Sequence, residues 1–255
     1  MKIRNIFTII VICLSLTSDV FSAQGSWRRE TGYIREKITR LFVHPEDAQN
    51  LFIGTENTIY VLDLAGQKLT PSLIAGGSKL KVYAFEFIPG PLAHILAATD
   101  KGLYSSQDKG RSWQKQNLGL DLQSQQCFSL LYDPQYRKLY IGTAHGLYIR
   151  KTEKGDFEKE DSVASNTPVY KIQSDSDFFY IVTHQEVIRF GRLDPGFGET
   201  IYRVFDKEEE GEEYLENLPS INDFVVSPQK DSLFMAVPAH GILKSDDHGR
   251  EWQEL

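Results

Sequence analysis

Three stretches of the chain align without a gap: Leu51-Phe-Ile-Gly-Thr-Glu-Asn-Thr-Ile-Tyr60, Ile95-Leu-Ala-Ala-Thr-Asp-Lys-Gly-Leu-Tyr104 and Leu139-Tyr-Ile-Gly-Thr-Ala-His-Gly-Leu-Tyr148. Thr55, Thr99 and Thr143 stand 44 residues apart, and so do Tyr60, Tyr104 and Tyr148. A fourth copy runs from Phe179 to Ile188, and a fifth from Leu233 to Leu243 with one residue inserted. Each copy follows another apolar segment, opening at Ile38, Val82, Cys127, Val169 or Ile221. Most of these segments end in a turn: His44-Pro45, Pro89-Gly90-Pro91, Asp133-Pro134 and Ser227-Pro228, with Ser174-Asp175-Ser176-Asp177 in the fourth. β-branched and aromatic residues between such turns read as strand, turn, strand, tight turn, strand. No window shows the 3.6-residue period of a long amphipathic helix.

A period of 44 with three to four strands is the length of a propeller blade. One such sheet cannot bury both of its faces alone, so neighbours must stack on it. A β-sandwich with irregular loops would not repeat one short motif at a fixed interval. The expected fold is therefore all-β, a propeller of about five blades over residues 24–255, with repeats near 38–81, 82–126, 127–168, 169–220 and 221–255.

Two of the repeats carry a further signature. Ser106-Gln-Asp108-Lys-Gly110-Arg-Ser-Trp113 and Ser245-Asp-Asp247-His-Gly249-Arg-Glu-Trp252 both fit Ser-x-Asp-x-Gly-x-x-Trp. The Asp at the head of a turn can accept backbone N–H bonds, and the Gly can take a positive φ. The Trp then opens the next strand and is expected to pack between blades. The third repeat is degenerate: Phe157 stands where Trp113 would recur, and Thr152 replaces Asp108. The first and fourth have other turns, Leu64-Ala-Gly-Gln67 and Leu193-Asp-Pro-Gly-Phe-Gly198. These segments resemble the Asp boxes, or BNR repeats, of sialidases, sortilin-type receptors and the photosystem II assembly factor family of secreted propellers. The resemblance implies a box on the turn between third and fourth strands, with ligands bound elsewhere, so the aspartates read as structural. It also implies, at the level of fold alone, a part in assembling or stabilising a larger complex.

The first residues carry a basic Lys2 and Arg4, an apolar run from Ile6 to Leu16, and small residues Val20 and Ser22. That layout reads as a secretory signal over residues 1–23, and the run is too short for a bilayer span. Cysteine 13 lies inside the apolar run after the bulky Val11 and Ile12, which disfavours a lipoprotein site. Cleavage would remove two cations and one anion, taking the net charge from −7 to −8. An acidic chain lacks the basic stripe that nucleic-acid binding requires. Cys127, the cysteine left after cleavage, has no partner and reads as a small buried hydrophobe.

The search for chemistry is mostly negative. A sialidase needs an arginine cluster, a Tyr–Glu pair and an acid Asp. Here Arg28, Arg29, Arg35 and Arg40 alternate with polar residues as on a solvated strand. His145 and His240 recur in Ala-His-Gly turns and read as turn residues rather than ligands, and no spacing suggests zinc. No catalytic, cofactor or metal residues are assigned. The fourth-to-fifth interval is lengthened around Asp206–Glu216, an acidic stretch. With Phe197, Glu208, Glu209, Glu210, Tyr214 and Leu215 it forms a candidate partner-binding loop, against the simpler reading of a solvated charge run. The function expected is a periplasmic or extracellular, non-catalytic scaffold for a protein or glycan partner, not integral to the membrane once cleaved. The alternative is an exported glycan-active hydrolase of the sialidase type. N-terminal sequencing of exported protein is expected to begin at Ala23 or Gln24; soluble cytoplasmic protein retaining Met1 would refute export.

Overall fold

The computed structural model describes residues 34–255 apart from 78, 91–92, 117–118, 152–154, 162, 193–197, 205–219, 228–231 and 239. The signal segment and the acidic loop, with Phe197, Glu208, Glu209, Glu210, Tyr214 and Leu215, lie outside the described residues.

The described chain is all-β, folded into five sheets. Sheet 1 comprises β1 (Ile38–His44), β2 (Asp47–Thr55), β3 (Ile59–Asp63) and β4 (Lys68–Pro71). Sheet 2 holds β5 (Leu73–Ile74), β6 (Val82–Ile88), β7 (His94–Thr99), β8 (Gly102–Ser106) and β9 (Ser112–Lys115). Sheet 3 holds β10 (Cys127–Asp133), β11 (Lys138–Thr143), β12 (Gly146–Arg150) and β13 (Glu158–Glu160). Sheet 4 holds β14 (Lys171–Ser174), β15 (Phe178–Val182), β16 (Glu186–Gly191) and β17 (Glu199–Arg203). Sheet 5 holds β18 (Asp223–Val226), β19 (Leu233–Val237), β20 (Gly241–Ser245) and β21 (Gln253–Glu254). Four sheets run in simple chain order, strand against antiparallel strand. Sheet 2 gains β5, which lies parallel to β9 with Leu73 opposite Ser112 and Ile74 opposite Trp113.

By contacts the chain forms two compact units. One contains residues 1–82, 87–95 and 105–114, and the other 83–86, 96–104 and 115–255. In the second unit the strand alternation explains the stacking. On β15, Phe179 and Ile181 point to sheet 3, where they pack with Tyr140, Leu147 and Ile149. Tyr180 and Val182, one residue out of phase, pack with Phe224, Leu233, Met235 and Leu243 of sheet 5. A strand buried on both faces reads as an unbroken apolar run, as Phe178-Phe-Tyr-Ile-Val182 does. Each such side chain taken out of water contributes about 1.5–3 kcal/mol. In the first unit, Leu51, Ile53 and Leu62 form the core on one face of sheet 1, with Leu41, Val43 and Leu69 against them.

The repeated threonine has a defined task. Thr55, Thr99, Thr143 and Thr183 are all buried at the tight turn between second and third strands. Their hydroxyls donate to the carbonyls of Thr58 (2.9 Å), Gly102 (2.7 Å), Gly146 (2.9 Å) and Glu186 (3.3 Å). The same oxygens accept the amides of Asn57, Lys101, His145 and Gln185. One small side chain thus satisfies two backbone groups that would otherwise be buried unpaired. Sheet 5 has Val237 at this place and closes its longer turn through the His240 amide to the Val237 carbonyl. Thr143→Val keeps the shape but leaves two polar groups without partners. It is expected to cost about 1–3 kcal/mol in chemical denaturation, with Thr143→Ser costing less; equal stability of the valine variant would show that the turn does not need the hydroxyl.

Candidate functional site

The two Asp boxes form matching turns. Ser106 Oγ donates to Asp108 Oδ1 at 2.8 Å and accepts the Gly110 amide at 2.8 Å. Asp108 accepts the Ser112 amide on Oδ1 at 2.9 Å and the Ser112 hydroxyl on Oδ2 at 2.6 Å. In the second box Ser245 Oγ donates to Asp247 at 2.7 Å and accepts the Gly249 amide at 2.8 Å. Asp247 Oδ1 also accepts the amides of Arg250 and Glu251, each at 3.0 Å. Burial tends to raise the Asp108 carboxyl, but the bonds from Ser112 and Ser106 outweigh it and hold the group below its ordinary value. The Glu251 amide and the Ser245 hydroxyl lower Asp247 in the same way. Both oxygens of Asp108 are engaged within its turn, whereas the bonds of Asp247 gather on Oδ1.

The glycines answer to two demands at once. Gly110 and Gly249 have φ of 79° and 90°. A Cβ on Gly110 would lie 2.2 Å from Phe52 Cε1, and one on Gly249 would lie 2.3 Å from Ile201 Cδ1. Each box therefore presses its backbone onto the preceding sheet. The residue before each glycine, Lys109 (φ 59°) or His248 (φ 60°), is left-handed too and reaches a carboxylate of that sheet. Lys109 Nζ meets Asp47 Oδ2 at 3.1 Å, and His248 Nδ1 meets Asp175 Oδ2 at 3.0 Å.

The two tryptophans differ. Trp113 is fully buried on β9. Trp252 packs against sheet 4, its indole N–H on the Ile201 carbonyl at 3.1 Å and its ring edge-on to Tyr202, but it stays half-buried. Trp252 immediately precedes the two-residue strand β21 and is covered less completely than Trp113. In the third repeat, Phe157 is buried, with the Arg150 guanidinium 5.2 Å over its ring.

Two further carboxylates, not singled out in the sequence, join successive sheets. Asp133 and Asp175 end or follow the first strands of sheets 3 and 4, and their side chains are 0% and 2% exposed. Oδ1 of each caps its own turn, accepting the Gln135 amide at 2.9 Å and the Asp177 and Phe178 amides at 2.8 and 2.7 Å. Oδ2 of Asp133 faces Arg192 Nη2 at 2.9 Å, a charge contact rather than a well-aligned hydrogen bond. Oδ2 of Asp175 takes the Tyr180 hydroxyl at 2.5 Å as well as His248. Arg189 adds a bond to the His248 carbonyl at 2.8 Å, and its guanidinium lies 4.7 Å over Phe178.

A different kind of surface lies along the first strands. Val82, Cys127, Val169 and Ile221 open these segments and are buried. The residues after the first three are Tyr83, Phe128 and Tyr170, all half-buried. Their rings run in sequence: Tyr83 to Phe128, 5.1 Å and edge-on; Phe128 to Tyr170, 4.9 Å; Tyr170 to the exposed His184, 4.1 Å. Gln126 donates its amide to the Tyr83 hydroxyl at 3.2 Å. The sequence carries the signal, an apolar–aromatic pair opening three consecutive repeats, which by itself reads as core.

His145 donates its backbone amide to Thr143, while His240 lies beside Glu254 at 3.0 Å. Burial pushes the Cys127 thiol up to about 12, outside nucleophilic use at neutral pH. Among the described residues, no group of three or more His, Cys, Asp or Glu could hold a metal ion.

No family model matches the chain, and no curated protein matches it. Solved structures do. The extracellular domain of a putative one-component system from B. thetaiotaomicron superposes with a TM-score of 0.64 at 16% identity, covering 86% of this chain and 27% of that one. An ancestral GH74 enzyme gives 0.63 at 14% identity, over 91% and 33%. An auxiliary nutrient binding protein from Bacteroides thetaiotaomicron VPI-5482 gives 0.58 at 13%, over 86% and 57%. The chain thus spans about a third or less of the length of the first two neighbours. At these identities the likeness concerns fold alone, an all-β, propeller-like arrangement.

The Asp175 latch has a signed pH dependence. Burial pushes its carboxyl up, but Tyr180, the Phe178 and Asp177 amides and His248 together hold it below the ordinary 3.8. A depressed native value gives stability that is complete above 3.8 and is lost as pH falls through the native value. Asp175→Asn is expected to be less stable than the parent by about 1–3 kcal/mol near neutral pH, with the gap narrowing under acid. A gap that stays constant into acid would mean that the latch does not act through the charge of Asp175.

Proposed function

We propose that the chain is an exported, non-catalytic, five-bladed propeller that binds a protein or glycan partner in the periplasm or outside the cell. The observation that carries this reading is the aromatic row Tyr83–Phe128–Tyr170. Position after position, the core is closed by the preceding residue, so these rings are not needed to fill it. Neighbouring rings that keep part of their surface in water form an apolar patch that a partner can cover. Support comes also from the likeness to the extracellular domain of a putative one-component system and to an auxiliary nutrient binding protein. No helix among the described residues is long and apolar enough to cross a membrane.

The neighbours include a GH74 enzyme as well, which keeps a glycan-active hydrolase as the second reading. Against it, the described carboxylates that are most buried are committed to turns. Asp133 and Asp175 each cap backbone amides with one oxygen and face a side chain of the next sheet, Arg192 or His248, with the other, so both are engaged in the joint between sheets. A part in assembling a larger complex, which the Asp-box resemblance implies, is compatible with the same surface.

Purified protein incubated with sialosides, β-glucans and xyloglucan is expected to release no reducing ends. Turnover that survives purification and disappears in a single carboxylate variant would replace the binding reading with the hydrolase.

A further inference from the structure

We infer that the row Tyr83–Phe128–Tyr170, with Gln126 and His184 beside it, binds a linear neutral oligosaccharide. The inference rests on the binding reading above and specifies its ligand. Three features of the row select that class.

The first is repetition. The rings follow the buried residues Val82, Cys127 and Val169 in three consecutive repeats, Tyr83 and Phe128 on β6 and β10 and Tyr170 just before β14, with centroids 5.1 and 4.9 Å apart. A row of like groups matches a ligand that itself repeats, presenting the same face unit after unit. A folded protein surface has no such period.

The second is chemistry. A sugar ring offers an apolar C–H face and a rim of hydroxyls. Aromatic faces with polar groups at the edge meet both demands. Here the edge is supplied by the Tyr83 hydroxyl, which holds the Gln126 amide, and by the exposed ring of His184. The row contains no Leu, Met or Arg. Tyr and Phe are enriched at protein–protein interfaces too, but the Met and Arg that accompany them there are absent from the row.

The third is charge. No lysine, arginine or carboxylate belongs to the row. The nearest cation in the chain to Tyr170, Lys171, is turned to Asp223 in an ion pair. With a net charge of −7 over the whole chain, the protein offers no field to draw in a polyanion. Sialylated or uronate-rich chains are thus disfavoured against neutral ones.

The row ends where the sequence changes. The equivalent residue of sheet 5 is Asn222, exposed and without a ring. Binding along sheets 2 to 4 then sets a finite length, and affinity should rise with chain length until the row is filled.

The test is isothermal titration of the full chain with cellohexaose, mannohexaose and chitohexaose, their disaccharides, a hexamer of galacturonate and an unrelated extended peptide. Expected is binding of at least one neutral hexamer, weaker for its disaccharide and absent for the galacturonate hexamer. Phe128→Ala and Tyr170→Ala should each weaken it by roughly tenfold, and Tyr83→Phe by less. Phe128→Leu and Tyr170→Leu retain apolar bulk without a π face. They should lose binding at an unchanged melting temperature, which separates loss of the site from loss of the fold. If no neutral hexamer binds but the peptide or the galacturonate hexamer does, in a way the leucine variants abolish, this inference falls and the binding reading stands. Neutral hexamer binding that all the row variants leave unchanged overturns the assignment of the site. If none of the probes binds, the inference is wrong as stated.

Discussion

A four-stranded sheet with two apolar faces is insoluble by itself, and the rest of this structure follows from that constraint. Strand β15 shows it most directly. Phe179 and Ile181 need sheet 3, while Tyr180 and Val182, between and beyond them, need sheet 5. Burial supplies the free energy, but it is non-directional and does not fix how one sheet lies on the next. The directional part comes from the turns. Asp133 and Asp175 divide their two oxygens, one for the backbone of their own turn and one for a side chain of the following sheet. A shift of one sheet against its neighbour would strand a buried carboxylate, which is far more costly than losing one apolar contact.

The Asp boxes act on the same joint from the other side. Their internal bonds make a rigid turn whose glycine can touch the preceding sheet, Gly110 on Phe52 and Gly249 on Ile201. The left-handed residue before the glycine then offers its side chain to that sheet, Lys109 to Asp47 and His248 to Asp175. In the box itself the invariant-looking letters shape the turn, whereas the letter written x makes the contact. This explains why the motif Ser-x-Asp-x-Gly-x-x-Trp can mark a fold and leave function open. Its carboxylate accepts local hydroxyls and amides, which is a turn-forming task.

Much of the architecture was legible because it rests on local rules that recur. The threonine at the tight turns of sheets 1 to 4, the proline or aspartate after each first strand and the glycines of the two boxes leave recurring letters at a regular interval. The position of Phe157 as a stand-in for Trp113 was legible for the same reason, and the residue is buried. Contacts between distant segments left no such mark. Nothing in the turn Ser174-Asp175-Ser176-Asp177 announces that Asp175 will meet His248, since the pairing depends on which sheet follows. Nor could the lesser burial of Trp252 be read from its box, because it depends on how sheet 4 meets the ring. The aromatic row was visible as letters but not as a surface. An apolar–aromatic pair at the start of a strand reads as core until the burial of its two members is seen to differ.

That difference separates two tasks along each sheet. The box turns before the fourth strands and the carboxylates at the far ends of the first strands lock one sheet to the next, while near the starts of the first strands of sheets 2, 3 and 4 the chain leaves rings partly open to water. Sheet 2 carries both a complete box and a member of the row; sheets 3 and 4 keep the row but have lost the box, and are joined instead through Asp133 and Asp175. Sheet 5 is the converse, with a complete box, Asn222 in place of a ring and Val237 in place of the turn threonine. The locking devices therefore vary from sheet to sheet while serving one end, as expected of groups that only have to hold. The three rings do not vary in kind, although no buried core requires them to be aromatic. Interchangeable means for stability beside a constant chemistry at the half-open surface is the pattern expected where the surface, rather than the joint, meets a ligand.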